Sequence, residues 1–180
     1  HPGDPYPNWG MLQTCLFKLV VPRALEPYLD ADYARRNLEL VRRRSEIVKK
    51  YGMQAAVVVI DPFYLPEQAY LDHPAWRGPR CDHPRRSRDM YFSPCIDNEE
   101  VRGLYYEAMQ RLCAEVDIGF FQIITNDSGA GVCWSTGLYN GPNGPEACRK
   151  VSMADRIVGF LQVLYDAARS QGRETLIDIT

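Results

Sequence analysis

The feature that most constrains the fold is a regular alternation of short apolar runs with helical patterns. Four apolar runs are typical of strands, at residues 16–21, 55–60, 119–124 and 175–180. Between them, apolar residues recur at three- and four-residue spacing in helical segments that begin at Tyr33, Asp97 and Ser152. The resulting order, β-α-β-α-β-α-β, predicts a parallel sheet with right-handed crossovers.

The connections between these elements differ strongly in length. Each helix is linked to the next strand by a few residues, around Gly52, Gly119 and Gly172. The links that follow the second and third strands are long, at residues 63–96 and 125–151. The elaboration is therefore at the carboxyl ends of the strands, where barrels and open sheets both place their sites.

This pattern predicts the α/β class and, within it, a parallel (β/α)8 barrel of the TIM type. A complete barrel of this type has eight strands and about 250 residues. We therefore expect residues 1–180 to be a single α/β unit that forms half of such a barrel. A small, open, doubly wound sheet is the alternative, and strand order distinguishes the two, because only the open sheet contains a switch in order.

Charge and hydropathy exclude some classes of partner. The net charge is −2, and the one basic cluster, residues 80–88, contains Asp82 within a proline-rich loop. This composition favours a ligand-facing or salt-bridged loop over a nucleic-acid surface. No apolar run is long enough to span a bilayer, and no motif for a nucleotide or another cofactor is present. We expect no nucleic acid, no membrane span and no cofactor.

The six cysteines contain no C-x-x-C pair and no histidine at the spacing of a zinc site, so the sequence predicts no metal. Cys81, Cys95, Cys133 and Cys148 lie in the two long loops. One or two disulfides can form among them if the compartment is oxidising, with the pairing left open. The sequence does not fix the location of the protein, although a periplasmic or extracellular one is favoured.

Three carboxylates lie at or near strand ends: Asp61, Asp127 and Asp178. Because neighbouring strands are about 4.8 Å apart, such groups can reach the separations of roughly 5–9.5 Å that glycoside hydrolysis uses. One carboxyl group would be held protonated as the acid while the other stays ionised. Each also has a structural interpretation: Asp61 as a turn cap, Asp127 in an Asx-type turn, and Asp178 as a polar contact inside the barrel.

The loop residues are typical of a sugar site. Polar side chains that can bond hydroxyl groups are Asn126, Arg80, Asp82 and His83, and aromatic rings that can stack on a pyranose are Trp76, Trp134 and Tyr139. Aromatic residues in long loops also commonly anchor the loop, and a histidine in a proline-rich segment is commonly structural. We predict that the two loops pack on each other above the strand ends.

Two segments carry a resemblance to a known group of enzymes. WRGPRCDHPRRSRDMYFSPCIDNEEV and FFQIITNDSGAGVCWSTGLYNGPNGPEAC resemble the catalytic-region loops of bacterial (β/α)8-barrel glycoside hydrolases of the hexosaminidase-like and α-glucuronidase-like kinds. In hexosaminidases an Asp-Glu pair follows a central strand, whereas here Asp127 is followed by Ser128. The resemblance implies that Asp127 is a site residue but does not transfer its catalytic role.

Together these observations predict a glycoside hydrolase, or a glycoside-hydrolase-like domain, that cleaves a glycan with carboxylates at the strand ends. The alternative is a non-catalytic carbohydrate-binding barrel, which would keep the aromatic residues without a paired acid. A third possibility is a stabilising half-domain whose catalytic acids lie elsewhere. The expected partners are a carbohydrate and the remaining half of the same barrel.

Overall fold

The computed structural model describes residues 14–82, 89–125, 130–135 and 143–180. The longer elements are, in chain order, α1 Ala31–Lys50, β1 Ala55–Ile60, α2 Glu67–Asp72, β2 Arg77–Arg80, β3 Phe92–Pro94, α3 Glu99–Glu115, β4 Ile118–Ile124, α4 Met153–Ser170 and β5 Leu176–Ile179. Short 3-10 helices lie at Leu16–Lys18, Arg23–Leu25, Pro74–Trp76 and Glu146–Cys148. No helix within the described ranges is long and apolar enough to cross a membrane.

The α/β class is confirmed by a three-stranded parallel sheet. Its strands lie in the order β1-β4-β5, with Val58 paired to Gln122 and Gln122 paired to Asp178. Three of the four predicted strands are therefore present, each within one residue of its predicted bounds. The order contains no switch among these strands, as expected for consecutive β/α units.

The first predicted strand is wrong. Residues 16–21 are buried as an apolar run should be, but Leu16–Lys18 is a 3-10 helix. The amides of Leu19 and Val20 both donate to the Leu16 carbonyl oxygen, which turns the chain. The Leu16 amide itself donates to the carboxylate of Asp61, 45 residues away. An apolar run reports burial, whereas this distant hydrogen bond helps to set the backbone conformation.

Local signals place the helix ends. Asn98 accepts a hydrogen bond from the Val101 amide and caps α3, one residue after Asp97, where the sequence predicts that the helix begins. Ser152 caps α4 through the Asp155 amide, at the predicted position. Gly52 has a positive φ of 71° just after α1, a conformation that glycine adopts without steric cost.

The two faces of the sheet have different environments. One face is buried and includes Val57, Val59, Phe121 and Ile123. Helices α3 and α4 pack against each other, and the Phe160 and Tyr105 rings meet edge to face at 4.9 Å. On the opposite face Val58 is 46% exposed and Leu176 is 66% exposed. The sheet is therefore covered mainly on one side.

The long connection after β1 is built from secondary structure of its own. It contains α2, a 3-10 turn and an antiparallel pair, β2 with β3. Gly78 permits this pairing, because a Cβ there would lie 2.6 Å from the Ser93 carbonyl oxygen. The connection is thus a small folded substructure that follows the carboxyl end of β1.

Candidate functional site

The carboxyl ends of the three parallel strands lie level with one another. The Asp61 amide donates to the Ile124 carbonyl oxygen at 3.1 Å, and the Thr125 amide donates to the Thr180 carbonyl oxygen at 2.7 Å. Residues that follow β1, β4 and β5 therefore share one edge of the sheet. This edge is where the sequence predicts the site.

Asp61 lies at this edge but is fully enclosed, with 1% of its surface exposed. Its carboxylate accepts hydrogen bonds from the Leu16 amide at 2.8 Å, the Phe63 amide at 3.1 Å and the Tyr105 hydroxyl at 3.0 Å. Burial raises the pKa of Asp61 to about 7, against the opposing effect of these hydrogen bonds. The carboxylate joins the segment before α1 to the tip of β1 and to α3, in keeping with the structural interpretation.

Asp178 lies within β5, two residues before the level end of the sheet. It is half-buried, and its Oδ2 accepts a hydrogen bond of 3.4 Å from the Gln122 side chain. Strand pairing places Asp178 in one row with Gln122 and Val58, on the exposed face of the sheet. In a closed barrel this row would face the interior.

Trp76, predicted to stack on a sugar, is 3% exposed. Its indole N–H donates to Glu100 at 2.6 Å, and its ring stacks on that of His73 at 3.8 Å. The ring therefore has no free face for a ligand. Trp76 anchors the long connection to α3, the alternative role that the sequence left open.

Arg80 and Asp82 form a bidentate ion pair with distances of 2.6 and 2.9 Å. Asp82 is 2% exposed and also accepts a hydrogen bond from the Tyr91 amide at 3.3 Å. In the described part of the basic loop, residues 80–82, the arginine is therefore salt-bridged, which is one of the two arrangements that the sequence favours.

Trp134 is partly exposed and is held by the segment that follows it along the chain. Its amide donates to the Asn143 carbonyl oxygen at 2.8 Å, and its indole N–H donates to Pro145 at 3.0 Å. The Arg149 guanidinium lies 5.2 Å from the ring centre. Trp134 also has a φ of 59°, a conformation that costs a non-glycine residue about 1 kcal/mol or more.

The other predicted site residues, Asp127, Asn126, His83 and Tyr139, lie outside the described residues.

Contact between the two long loops, as predicted, is confirmed for their described parts. Phe63 forms an isolated antiparallel bridge with Ala130, and the Gly131 amide donates to the Pro62 carbonyl oxygen at 3.1 Å. A Cβ on Gly131 would lie 3.2 Å from both Cys81 and Pro79. Glycine thus permits the close approach of the loop after β4 to the connection after β1.

A cluster that the sequence pattern did not indicate lies where these loops meet. Cys95, Cys133 and Cys148 bring their sulfur atoms together with a carboxylate oxygen of Asp97, all within 4.8 Å of one another. The hydrogen bond between the Cys133 and Cys95 thiols lowers the pKa of Cys95 to about 6 and raises that of Cys133, and burial raises the pKa of Cys148 to about 11. None of the six cysteines, all of which are in the described ranges, forms a disulfide. Cys95 and Cys133 are 38 positions apart in the sequence, and Cys133 and Cys148 are 15 apart, so no local sequence motif indicates the cluster.

An open cleft of about 670 Å³ lies on the long connection after β1. Its lining includes aromatic, acidic and basic side chains, among them Tyr64, Glu67, Arg77, Asp89 and Tyr91. Arg77 pairs with Glu67 and also lies 4.7 Å from the Phe92 ring centre. The cleft offers both hydrogen-bonding groups and rings to a polar ligand.

Comparisons with known proteins give only distant likenesses. No family model and no curated protein matches the chain. A GH36 α-galactosidase from Geobacillus stearothermophilus is similar over 75% of this chain and 18% of its own, with 17% identity and a TM-score of 0.43. A structure from Bacillus halodurans C-125, provisionally named an α-N-acetylgalactosaminidase, is similar over 100% of this chain and 38% of its own, with 13% identity and a TM-score of 0.48. This chain thus spans less than a fifth of the α-galactosidase.

Proposed function

We propose that the chain forms part of a carbohydrate-active β/α domain of the glycoside-hydrolase kind, with its ligand at the carboxyl edge of the sheet. The observation that carries this proposal is the position of the two long loops. Both leave that edge from neighbouring strands, β1 and β4, and are joined by the hydrogen bond from the Gly131 amide to the Pro62 carbonyl oxygen. Sites of β/α barrels are built from such loops.

Within this proposal, the residues directly after β4 contact the sugar. The hydrogen bond from the Thr125 amide to Thr180 fixes the end of β4 two residues before Asp127. Asp127 would then act as nucleophile, base or electrostatic stabiliser, and Asn126 would bond a hydroxyl group. Asp61 supports the floor of the site from inside and does not touch the ligand.

The exposed face of the sheet fits a larger barrel. Val58 and Leu176 are apolar and exposed, and the polar pair of Gln122 and Asp178 lies on the same face, in one row with Val58. We propose that further strands of the same barrel cover this row of side chains. Asp178 would then be an interior residue of the barrel, within reach of the proposed site.

A non-catalytic carbohydrate-binding domain is the second candidate, favoured by a specific observation. Asp61, the described carboxylate nearest the strand tips, is enclosed and already accepts three hydrogen bonds. Among the described residues, the edge therefore does not present two accessible carboxylates. The cleft lined by Tyr64, Arg77 and Tyr91 would still bind a sugar without cleaving it.

The two candidates separate in one experiment on the purified protein. Release of nitrophenol is measured from aryl α-galactoside, N-acetyl-α-galactosaminide, β-N-acetylhexosaminide and α-glucuronide substrates, and binding of the corresponding free sugars is measured by calorimetry. Turnover supports the hydrolase, and binding without turnover supports the binding domain. If neither turnover nor binding occurs on a wider glycan array, both proposals are wrong.

A further inference from the structure

The cysteine cluster lies at the junction of three separate segments. Cys95 follows β3, Cys133 lies in the loop after β4, and Cys148 ends the 3-10 helix Glu146–Cys148. Each is buried, with at most 5% of its surface exposed. Asp97 adds a carboxylate from the residue pair before α3, and its side chain is 7% exposed. Four potential ligands thus converge from both long loops.

The distances match a metal site rather than a disulfide. The sulfur atoms of Cys133 and Cys95 are 3.6 Å apart, and those of Cys95 and Cys148 are 3.9 Å apart. A disulfide bond is about 2.05 Å long. In a tetrahedral zinc site with Zn–S bonds of about 2.3 Å, the sulfur atoms are separated by about 3.8 Å. The two observed sulfur–sulfur distances lie just below and just above that value.

The surrounding charges also fit a divalent cation. The Arg156 side chain, 1% exposed, donates to Asp97 Oδ2 at 2.6 Å and to the Cys148 carbonyl oxygen at 2.7 Å. Arg102 lies 3.8 Å from Asp97 Oδ1. With a metal ion bound, the three cysteines would be thiolates. Together with Asp97 they would carry four negative charges, which two guanidinium groups and one divalent cation would balance. Such compensation is what a buried cluster of charges needs.

One oxygen of Asp97 is available for a further interaction. Asp97 Oδ1 is buried and accepts no hydrogen bond among the described residues, since Arg102 is 3.8 Å away, whereas Oδ2 accepts one from Arg156. A buried carboxylate oxygen that accepts no hydrogen bond is costly. Arg156 orients the carboxylate in the manner of the outer groups that fix metal ligands in proteins.

We propose that Cys95, Cys133, Cys148 and Asp97 bind one zinc ion that clamps the two long loops together. Thiolates are soft ligands that suit zinc, and four protein ligands leave no open position, so the ion is structural rather than catalytic. The clamp would hold the connection after β1 against the loop after β4 at the carboxyl edge. Trp134 donates hydrogen bonds to the carbonyl oxygens of Asn143 and Pro145 and would thereby keep Cys133 close to the segment that carries Cys148.

The first test is the metal content of protein purified from a reducing host without chelators. Plasma mass spectrometry should find about one zinc per chain. A triple variant, Cys95→Ser with Cys133→Ser and Cys148→Ser, should contain almost none. Cys81→Ser is the matched control, because Cys81 is buried in the same connection but lies outside the cluster, and it should keep the ion.

Three further measurements decide the outcome if the triple variant does not fold. Wild-type protein stripped of metal and loaded with Co²⁺ should show thiolate-to-cobalt charge transfer and the visible bands of a tetrahedral site. A strong chelator should lower the melting temperature of wild type and of Cys81→Ser by roughly 5–15 °C. Asp97→Asn should weaken zinc retention in a competition with a chromogenic chelator.

Several results would overturn the proposal. The first is wild-type protein that holds no zinc after exposure to it and shows no cobalt charge transfer. The second is a disulfide between two of the three cysteines in freshly purified protein, found by peptide mass spectrometry. The third is zinc that persists in a folded triple variant, which would mark it as an ion bound elsewhere on the chain.

Discussion

Gly78 in β2 has no room for a side chain, and alanine there should disrupt the folded connection that carries Cys95. The added Cβ would lie 2.6 Å from the Ser93 carbonyl oxygen and 2.9 Å from the Cys95 amide nitrogen. Both are backbone atoms, so no side-chain rotation relieves the overlap and the two strands must move apart. The hydrogen bond of 2.7 Å from the Cys95 amide to the Trp76 carbonyl oxygen would be strained.

The size of the effect follows from these contacts. Overpacking costs about 1–3 kcal/mol, and a lost hydrogen bond adds about 0.5–1.5 kcal/mol. We expect Gly78→Ala to lower the free energy of unfolding by about 2–4 kcal/mol, which lowers the melting temperature of a chain of this length by roughly 5–15 °C. Urea denaturation followed by circular dichroism measures the change, provided that the m-value stays constant.

Gly103→Ala is the matched control. Gly103 lies on the exposed side of α3, and an added Cβ there has no atom within 4 Å. Alanine should therefore raise the free energy of unfolding by about 0.5–1 kcal/mol, the usual difference from glycine inside a helix. A Gly78→Ala variant that unfolds at the wild-type urea concentration would refute the packing of β2 on β3. So would equal losses in the two variants.

Two further predictions concern buried charges. The pKa of Asp61 is raised to about 7 in the folded state. Between about pH 4 and 6 the folded chain therefore binds more protons at Asp61 than the unfolded chain does. As the pH rises through this range, the contribution of Asp61 to the free energy of unfolding should fall by up to about 1.4 kcal/mol per pH unit. Urea titrations at several pH values should show this trend in wild type and lose it in Asp61→Asn; an unchanged trend would contradict the assignment. Arg156→Gln should cost about 3–5 kcal/mol because it leaves Asp97 buried without its main partner, whereas Lys49→Ala, which removes the exposed pair with Asp117, should cost less than about 1 kcal/mol. Comparable losses by calorimetry would refute that contrast.

The elements that sequence predicted well are those set by local signals. β1 is an apolar run that ends in four β-branched residues and lies between a helix end and a proline, and its bounds agree with the prediction. The start of α4 was predicted at Ser152, and in the structure the Ser152 side chain caps that helix. Residues 16–21 were misassigned because their conformation depends on the Leu16 amide bonding to Asp61, a contact that no local pattern contains.

The candidate site was less accessible to sequence reasoning. Whether Trp76 offers a ring to a ligand or buries it depends on Glu100, which lies 24 residues further along the chain. The cysteine cluster depends on how two loops cross, so the spacing rules for metal motifs do not detect it. The meeting of the loops themselves was predictable, because both leave the same edge of the sheet from neighbouring strands.

The most direct test of the proposed function is the turnover of Asp127→Asn on the best aryl-glycoside found for wild type. The substitution keeps the size of the side chain and removes its charge. If Asp127 stabilises or attacks the developing positive centre of the sugar, kcat should fall by about 100- to 1,000-fold. The melting temperature should stay within about 2 °C of wild type, because asparagine serves as a cap about as well as aspartate. Wild-type turnover in Asp127→Asn would contradict the central claim, and a loss of activity in proportion to a large drop in melting temperature would assign Asp127 to the structure instead.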